Sequence, residues 1–231
     1  MSDTKDANNK MVTTTEDLTS DAFHRLLALA ITGHGKLLGA RTIANNQLRH
    51  HQDHEDAIRG LSNQHIALAG GQGFATNWGG FLLSLVTIPA NMAAAAFIQA
   101  RAVAAIAHLR GYELDDPRVR TAILVVMLGP RGSAALIAAG DLPSSAAAVA
   151  TAPAFDPRLD ARVSRALLEQ SMNHVGGKRL GVFLAKKIPL VGGGVGAVVD
   201  GWSTRSIIQY AQEQFISRRP RATGYVVIVE N

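Results

Sequence analysis

The chain has 231 residues, a net charge of +5 and a pI near 9.9, with 47% hydrophobic but only 18% charged residues. Because it contains no cysteine, a disulfide framework and thiolate catalysis are excluded, which fits a reducing compartment. The positive charge suits an acidic partner, either anionic lipid or nucleic acid. The polar, acid-containing first residues contain no apolar signal-peptide core, so we expect a protein that begins in the cytoplasm.

The N-terminal part is predicted to be a tail followed by two helical stretches. Residues 1–18 are polar and low in aromatics, which predicts a disordered tail. A helical domain is expected over residues 19–222. Its first helix begins near residue 21, and a second helical stretch is predicted from Lys36, becoming very polar over 47–59.

Residues 60–100 contain no Asp, Glu, Lys or Arg. Charged residues are almost never fully buried unless paired, so a run without them is expected to pack inside protein or against lipid. The glycine-rich first half predicts a helix over 74–86, which Pro89 would break. The alanine-rich second half predicts the clearest helix of the chain, over 91–110, and the two helices are expected to form a central antiparallel pair.

A helical wheel of residues 91–110 places polar side chains on both sides of that helix. Gln99 is the polar member of the apolar side, whereas Arg101 and His108 lie opposite. We therefore expect Gln99 to face the core and the two basic residues to face away from it.

Two Asp-Pro pairs mark helix starts in the second half of the chain. Asp116-Pro117 and Asp156-Pro157 each offer an N-cap followed by proline at the first helical position. The helix that begins at Pro117 is predicted to run to Gly129, and the helix that begins at Pro157 is predicted to end at Gly176-Gly177. A short helix and an irregular connection are expected between them.

The last long helix is predicted between Pro189 and Pro220. Residues 225–229 form the only convincing strand-like run, within an extended C-terminal tail over 223–231. Six or more helices and at most one strand predict an all-α, single-domain helical bundle with Gly-rich central helices.

Histidines at helical spacing are the sharpest metal candidates. His50 and His54 are four residues apart in the segment HHQDHED, so both could face one ion from a helix. The segment is polar all round and has no third ligand at a fixed distance, and a solvated helix face explains it better. No metal is therefore predicted.

The motif VGGGVGA at residues 191–197 resembles a dinucleotide fingerprint only formally, because no strand precedes it and no βαβ unit surrounds it. Gly192, Gly196 and Gly201 belong to ladders of small residues at i, i+4, which let another helix backbone approach closely. No cofactor is predicted. Serine-hydrolase chemistry is not supported either, because the chain has no G-x-S-x-G elbow.

Asp200 lies on the apolar face of the last helix, together with Thr204 and Ile207. An acid in that position must be paired, hydrogen-bonded or neutralised, and Gln99, Asn91 or a basic residue are the candidate partners. Two interpretations stay open. Asp200 is either a structural core acid or a polar anchor inside a hydrophobic ligand pocket.

Three stretches of the chain resemble the EcsC family of mostly bacterial proteins. Residues 73–119 are similar to the family's Gly-rich segment, proline turn, long helix and G-Y-x-x-x-D-P ending, and 186–215 to its I-P-x-V-G-x-x-x-G-A helix. A third stretch, 55–76, leads into the first. The resemblance implies an all-helical, membrane-linked or transport-linked protein. Asn91 and Asp200 stand where the family often carries Asp and Asn, respectively.

The charge-free segment and the late basic residues together predict a function at a membrane surface. Anionic headgroups attract nearby Lys and Arg, and the candidates are Lys178, Arg179, Lys186 and Lys187. We expect a non-enzymatic cytoplasmic protein, peripheral to the inner face of the membrane, that binds anionic lipid or a hydrophobic protein partner and no specific nucleic acid. The alternative is a soluble enzyme or small-hydrophobic-ligand carrier with a pocket between helices.

Overall fold

The computed structural model describes residues 22–51, 53–70, 90–185 and 192–219, with side chains for 22–51, 53–69, 93–171 and 203–219. Several predicted features lie outside the described residues: the tail at 1–18, the helix over 74–86, Pro89, Lys186 with Lys187, and the tail at 223–231.

Helices form most of the described structure. In chain order they are α1 Ala22–Thr32, α2 Ala40–His50, α3 His54–Gly70, α4 Ala90–Leu109, α5 Pro117–Met127, α6 Gly129–Ala138, α7 Ala146–Ala150, α8 Pro157–Ala185 and α9 Gly192–Gln214. An antiparallel ribbon of β1 Gly33–His34 and β2 Leu37–Leu38 joins α1 to α2. The predicted all-α, single-domain class is confirmed.

Within the described ranges, no single helix has both the length and the hydropathy needed to cross a bilayer. Helices α5 and α6 taken together do meet those two criteria, but a bend of 109° separates them.

Helix α4 lies at the centre of the bundle, in contact with α2, α3, α5 and α9. Its many alanines let neighbouring helices approach from several sides, and residues 100–107 are all buried. A helix that is apolar all round is a buried helix. The prediction that Arg101 faces away from the core is therefore wrong, since its exposed fraction is 6%. His108 is half-buried.

The β ribbon replaces the predicted start of the second helix. Gly33 and Gly35 have φ values of 77° and 57°, left-handed conformations that suit glycine, and they turn the chain back on itself. Helix α2 consequently begins at Ala40 and not near Lys36.

The polar stretch over 47–59 is divided between two helices. His51 is extended, with φ −126° and ψ 150°, and ends α2. The carboxylate of Asp53 accepts the Asp56 N–H at 2.7 Å, which caps the first turn of α3. A continuous helix through this segment is thus excluded.

Both Asp-Pro helix starts are confirmed. The Asp116 carboxylate accepts the N–H of Arg118 at 2.9 Å, and that of Asp156 accepts those of Arg158 and Leu159 at 2.8 and 3.1 Å. Each aspartate therefore satisfies backbone donors that have no partner within the helix.

The ends of these helices differ from the prediction. Helix α5 ends at Met127, and α6 begins at Gly129, whose φ of 72° permits the sharp bend. Helix α8 continues through Gly176-Gly177 to Ala185, so its predicted end is wrong. Glycine in a helix interior costs only about 1 kcal/mol relative to alanine, which a long helix tolerates.

Helix α9 packs on α3 and α4, and the described part of it buries the face that the periodicity predicts. The buried residues are Thr204, Ile207, Ile208 and Ala211, with Phe215 just beyond the helix end. Gln212 is half-buried, and its amide donates to Ser62 Oγ of α3 at 3.0 Å. The α3–α9 interface thus contains a polar contact that periodicity does not predict.

Candidate functional site

A polar cluster joins α1, α5 and α8. Asp160 Oδ2 lies 2.9 Å from His24 Nε2, and Asp160 Oδ1 accepts the Thr121 hydroxyl at 2.6 Å. Ser164 Oγ lies 3.3 Å from the same His24 nitrogen. Burial disfavours the ionised carboxylate, but the hydrogen bonds from His24 and Thr121 outweigh it and hold the pKa of Asp160 below its ordinary value.

This cluster contains serine, histidine and aspartate, yet it is not a catalytic triad. In a triad, the serine and the aspartate contact different nitrogens of the imidazole. Here both approach Nε2 of His24. Ser164 is also fully buried, out of reach of a substrate. The arrangement therefore holds three helices together.

A second polar pair lies inside the bundle, between α3 and α4. His65 is fully buried beside Arg101. Arg101 Nε donates to His65 Nε2 at 3.2 Å, while His65 Nδ1 lies 2.9 Å from the Leu61 carbonyl. These two contacts require the neutral imidazole with its proton on Nδ1. Burial, followed by the charge of Arg101, lowers the pKa of His65 to about 4.

Arg101 has two further contacts. One Nη atom lies 3.5 Å from the Leu38 carbonyl of β2, and Cζ lies 5.2 Å from the centre of the Phe97 ring. Burial lowers the pKa of Arg101 to about 10. Within the part of the chain that the structure describes, no carboxylate lies within ion-pair distance of this guanidinium. Arg101 therefore links α4 to α3 and to the ribbon without a charged partner there.

A cavity of about 290 Å³ opens between α5, α7 and the start of α8. Its wall is apolar at Val149, Phe155 and Leu159, and polar at Asp141 and Arg162. Phe155 is 40% exposed, a large fraction for an aromatic side chain. The cavity thus combines an apolar wall with a pair of opposite charges.

The two arginines of the cavity wall differ in how firmly their hydrogen-bond and ion-pair partners hold them. Arg118 donates through Nε and Nη2 to Asp116, and through Nη1 to the Ala152 carbonyl. Arg162 Nε lies 3.5 Å from Asp141 Oδ1, and both side chains are about half exposed. An exposed pair of this kind contributes about 0–1 kcal/mol, so it separates at little cost.

Helix α6 exposes several apolar side chains. The exposed residues of α6 are Pro130, Arg131, Ala134, Ala135, Ile137 and Ala138, and we call the four apolar residues that follow Arg131 the α6 face. Ile137 is 42% exposed. Isoleucine is among the residues most often fully buried, so this exposure is informative.

Both ends of α6 approach α8. A Cβ added to Gly132 would lie 2.9 Å from Gln170 Oε1, and Asp141, just beyond α6, meets Arg162. On α8 the exposed residues Arg158, Arg162 and Arg165 are spaced by four and three, which places them on one side of the helix. We call them the arginine row. The arginine row therefore reaches the C-terminal end of α6 at Arg162.

Family comparison adds to this geometry. The model of the EcsC protein family matches residues 2–219. The chain belongs to the EcsC protein family. The resemblance carried by the glycine, proline and apolar spacing is thereby confirmed. No curated protein and no solved structure matches this EcsC-family chain significantly.

The two histidines considered as metal candidates are on different helices of the EcsC-family chain. His50 is the last residue of α2 and His54 is the first of α3. The helical spacing that would have let them share an ion is therefore absent. Among the described residues, no group of three or more His, Asp and Glu could hold a metal ion.

Gln99 contacts the last helix, as its predicted core position requires. Its amide donates to Thr204 Oγ1 at 3.3 Å, and Thr204 lies one turn after Asp200 in α9. The side chains of Asp200 and Asn91 lie outside the described residues, although both residues are helical. The proposed partnership of Asp200 with Gln99 stays a prediction.

The remaining predicted residues belong to helices whose side chains are not described at those positions. They are Gly192, Gly196 and Gly201 in α9, and Lys178 and Arg179 in α8. The close helix approach and the basic membrane contact expected of them stay predictions.

The cavity residues Asp141, Phe155 and Arg162 belong to no sequence motif and were therefore not predicted. Only the spacing of the arginines of α8 indicates part of this region. The i, i+4, i+7 spacing of Arg158, Arg162 and Arg165 predicts a basic side on the predicted helix.

Proposed function

We propose that this EcsC-family protein is a non-enzymatic peripheral protein that binds the anionic surface of the cytoplasmic membrane through the α6 face. One observation carries the proposal: α6 exposes apolar side chains, and the arginine row of α8 reaches its C-terminal end through the Arg162–Asp141 contact. Helices that lie in the interface plane of a bilayer combine an apolar face with Lys and Arg around it.

The apolar contribution is centred on Ile137. The α6 face is otherwise alanine, which supplies little apolar area, so the face would enter the headgroup region only superficially. Phe155, at the cavity beyond the end of α6, is a second exposed apolar side chain. Removing apolar area from water contributes about 25 cal/mol per Å², so a patch of this size supports weak, reversible binding.

The electrostatic contribution comes from the arginine row. A basic residue close to an anionic surface contributes about 1 kcal/mol, so each arginine of the row adds to the attraction. The net charge of +5 acts in the same direction. Because these charges are exposed, the attraction should weaken strongly with added salt.

Vesicle co-sedimentation tests the proposal. The wild-type chain is expected to sediment with phosphatidylglycerol-containing vesicles at low salt and to sediment to a much smaller extent with vesicles of phosphatidylcholine alone. Ile137→Asp should reduce the sedimented fraction severalfold. Leu38→Asp is the matched control, since Leu38 is 46% exposed but lies on the β ribbon.

Two results would contradict the proposal. One is the absence of binding to anionic vesicles at low salt, and the other is equal binding by Ile137→Asp and wild type. A hydrophobic protein partner would cover the same face, and binding to protein-free vesicles is the outcome that separates the two.

A further inference from the structure

We infer that the cavity beyond α6 binds the headgroup of a zwitterionic phospholipid, with its phosphate at Arg162 and its ammonium group at Asp141. The inference rests on the proposed function in one respect, because the membrane is the source of the lipid.

The argument begins with the geometry of the two charged side chains. Arg162 Nε and Asp141 Oδ1 are 3.5 Å apart, both residues line the cavity, and both are about half exposed. A pair this loose offers one cation and one anion side by side at little cost of separation. A ligand that carries one anion and one cation on adjacent groups satisfies both.

The other charges near the cavity are already engaged. Arg118 is held by Asp116, and one oxygen of Asp156 accepts two backbone N–H groups at the start of α8. A purely anionic ligand at Arg162 would bring a second negative charge close to Asp141. A purely cationic ligand at Asp141 would bring a second positive charge close to Arg162. A zwitterion avoids both repulsions.

The apolar wall favours a lipid over a small water-soluble zwitterion. Val149 and Leu159 lie on that wall, and the exposed ring of Phe155 can face an ammonium group favourably. The volume of about 290 Å³ is at the lower limit of ordinary ligand sites, enough for a headgroup and the first carbons of a chain. The cavity also includes Gly140, two residues beyond α6, so it is next to the proposed bilayer contact.

Calorimetric titration with short-chain lysolipids below their micelle concentration tests the inference. The probes are lysophosphatidylethanolamine, the anionic lysophosphatidylglycerol, and free phosphoethanolamine as the water-soluble source of the same headgroup. The variants are Asp141→Asn and Arg162→Gln. The matched control is Arg49→Gln, which removes an exposed charge on α2, outside both the cavity and the arginine row.

Wild type is expected to bind lysophosphatidylethanolamine more tightly than lysophosphatidylglycerol, and free phosphoethanolamine more weakly than either. Asp141→Asn should weaken lysophosphatidylethanolamine binding about tenfold and reduce the difference in affinity between the two lysolipids, because the ammonium group loses its charged partner. Arg162→Gln should weaken the binding of both lysolipids, and Arg49→Gln should leave the binding of both unchanged.

Equal binding of the two lysolipids by wild type, or unchanged binding by Asp141→Asn, would overturn the inference. If free phosphoethanolamine binds as tightly as lysophosphatidylethanolamine, the ligand is the water-soluble headgroup and not a lipid. Lysolipid binding that persists while vesicle binding is absent would remove only the proposed function. Vesicle binding that persists without lysolipid binding would remove only this inference.

Discussion

Arg101 Nε donates to His65 Nε2 across 3.2 Å inside the bundle, in a place where the described residues offer the guanidinium no carboxylate. A buried charge of this kind is costly unless hydrogen bonds replace its hydration. An imidazole, a carbonyl and an aromatic ring take that role here. The consequence is that His65 must stay neutral, which couples the stability of the fold to pH.

Acidification is expected to destabilise the protein through His65. The folded pKa of His65 is about 4, below its ordinary value of 6.5, so the unfolded chain binds the proton first as pH falls. The contribution of His65 is fully present above about pH 6.5 and is lost as the pH falls toward 4, by roughly 3 kcal/mol in total. Urea denaturation at several pH values in this range measures it.

His65→Gln is the control for that measurement, because glutamine does not titrate and can still accept a hydrogen bond from Arg101. Its stability should vary less with pH over this range than that of wild type. Identical pH profiles for the two proteins would show that His65 is not the group responsible.

Arg101→Lys should lower the free energy of unfolding by about 1–2 kcal/mol. Lysine cannot reproduce the Nε donor to His65 or the planar contact with Phe97. Arg49→Lys is the matched control, since Arg49 is exposed near the end of α2 and should change stability by less than about 0.5 kcal/mol. If chemical denaturation shows equal effects for the two substitutions, the Arg101 contacts do not contribute to the stability of the fold.

Asp160→Asn should destabilise the protein by about 1–3 kcal/mol near neutral pH, because the contact with His24 loses its charge. The pKa of Asp160 is lowered in the folded state, so its contribution is present above the unfolded pKa and is lost as the pH falls through the folded value. Thermal melting checks this, with Glu169→Gln on the exposed side of α8 as the control. A variant that melts like wild type would mean that the cluster does not tie α1 to α8.

Asp200 gives a prediction that separates its two interpretations. If it is a core acid near the Gln99–Thr204 contact, Asp200→Asn should be nearly neutral and Asp200→Leu should cost about 1–3 kcal/mol by leaving a polar partner unsatisfied. If it anchors a bound amphiphile, both variants should fold normally and lose any co-purifying lipid. Denaturation together with mass spectrometry of bound lipids distinguishes these outcomes. Finding neither effect would exclude both interpretations.

Local sequence signals were sufficient for much of the fold. Asp116 and Asp156 cap their helices because an N-cap acts on amides only two or three residues away. The buried face of α9 follows from its apolar spacing for the same reason. Such features depend on neighbours along the chain, so a single sequence contains the information.

Features made by distant segments were not predictable. The contact of His24 with Asp160 depends on how α1 packs against α8, and neither residue belongs to a motif. The helical wheel predicts an outer position for Arg101 because it assumes that one side of each helix faces water. The central turns of α4 have no side that faces water. The prediction from histidine spacing is wrong at His50 and His54 because α2 ends and α3 begins between them.

The most direct test of the membrane account is the environment of residue 137 in the presence of lipid. The chain has no natural cysteine, so Ile137→Cys can carry a single environment-sensitive fluorophore, with Leu38→Cys as the matched exposed position on the β ribbon. The account predicts that anionic vesicles shift the emission of the label at 137 to shorter wavelength, that salt reverses the shift, and that the label at 38 does not respond. No shift at 137 under low salt, or an equal shift at both positions, would contradict binding through the α6 face.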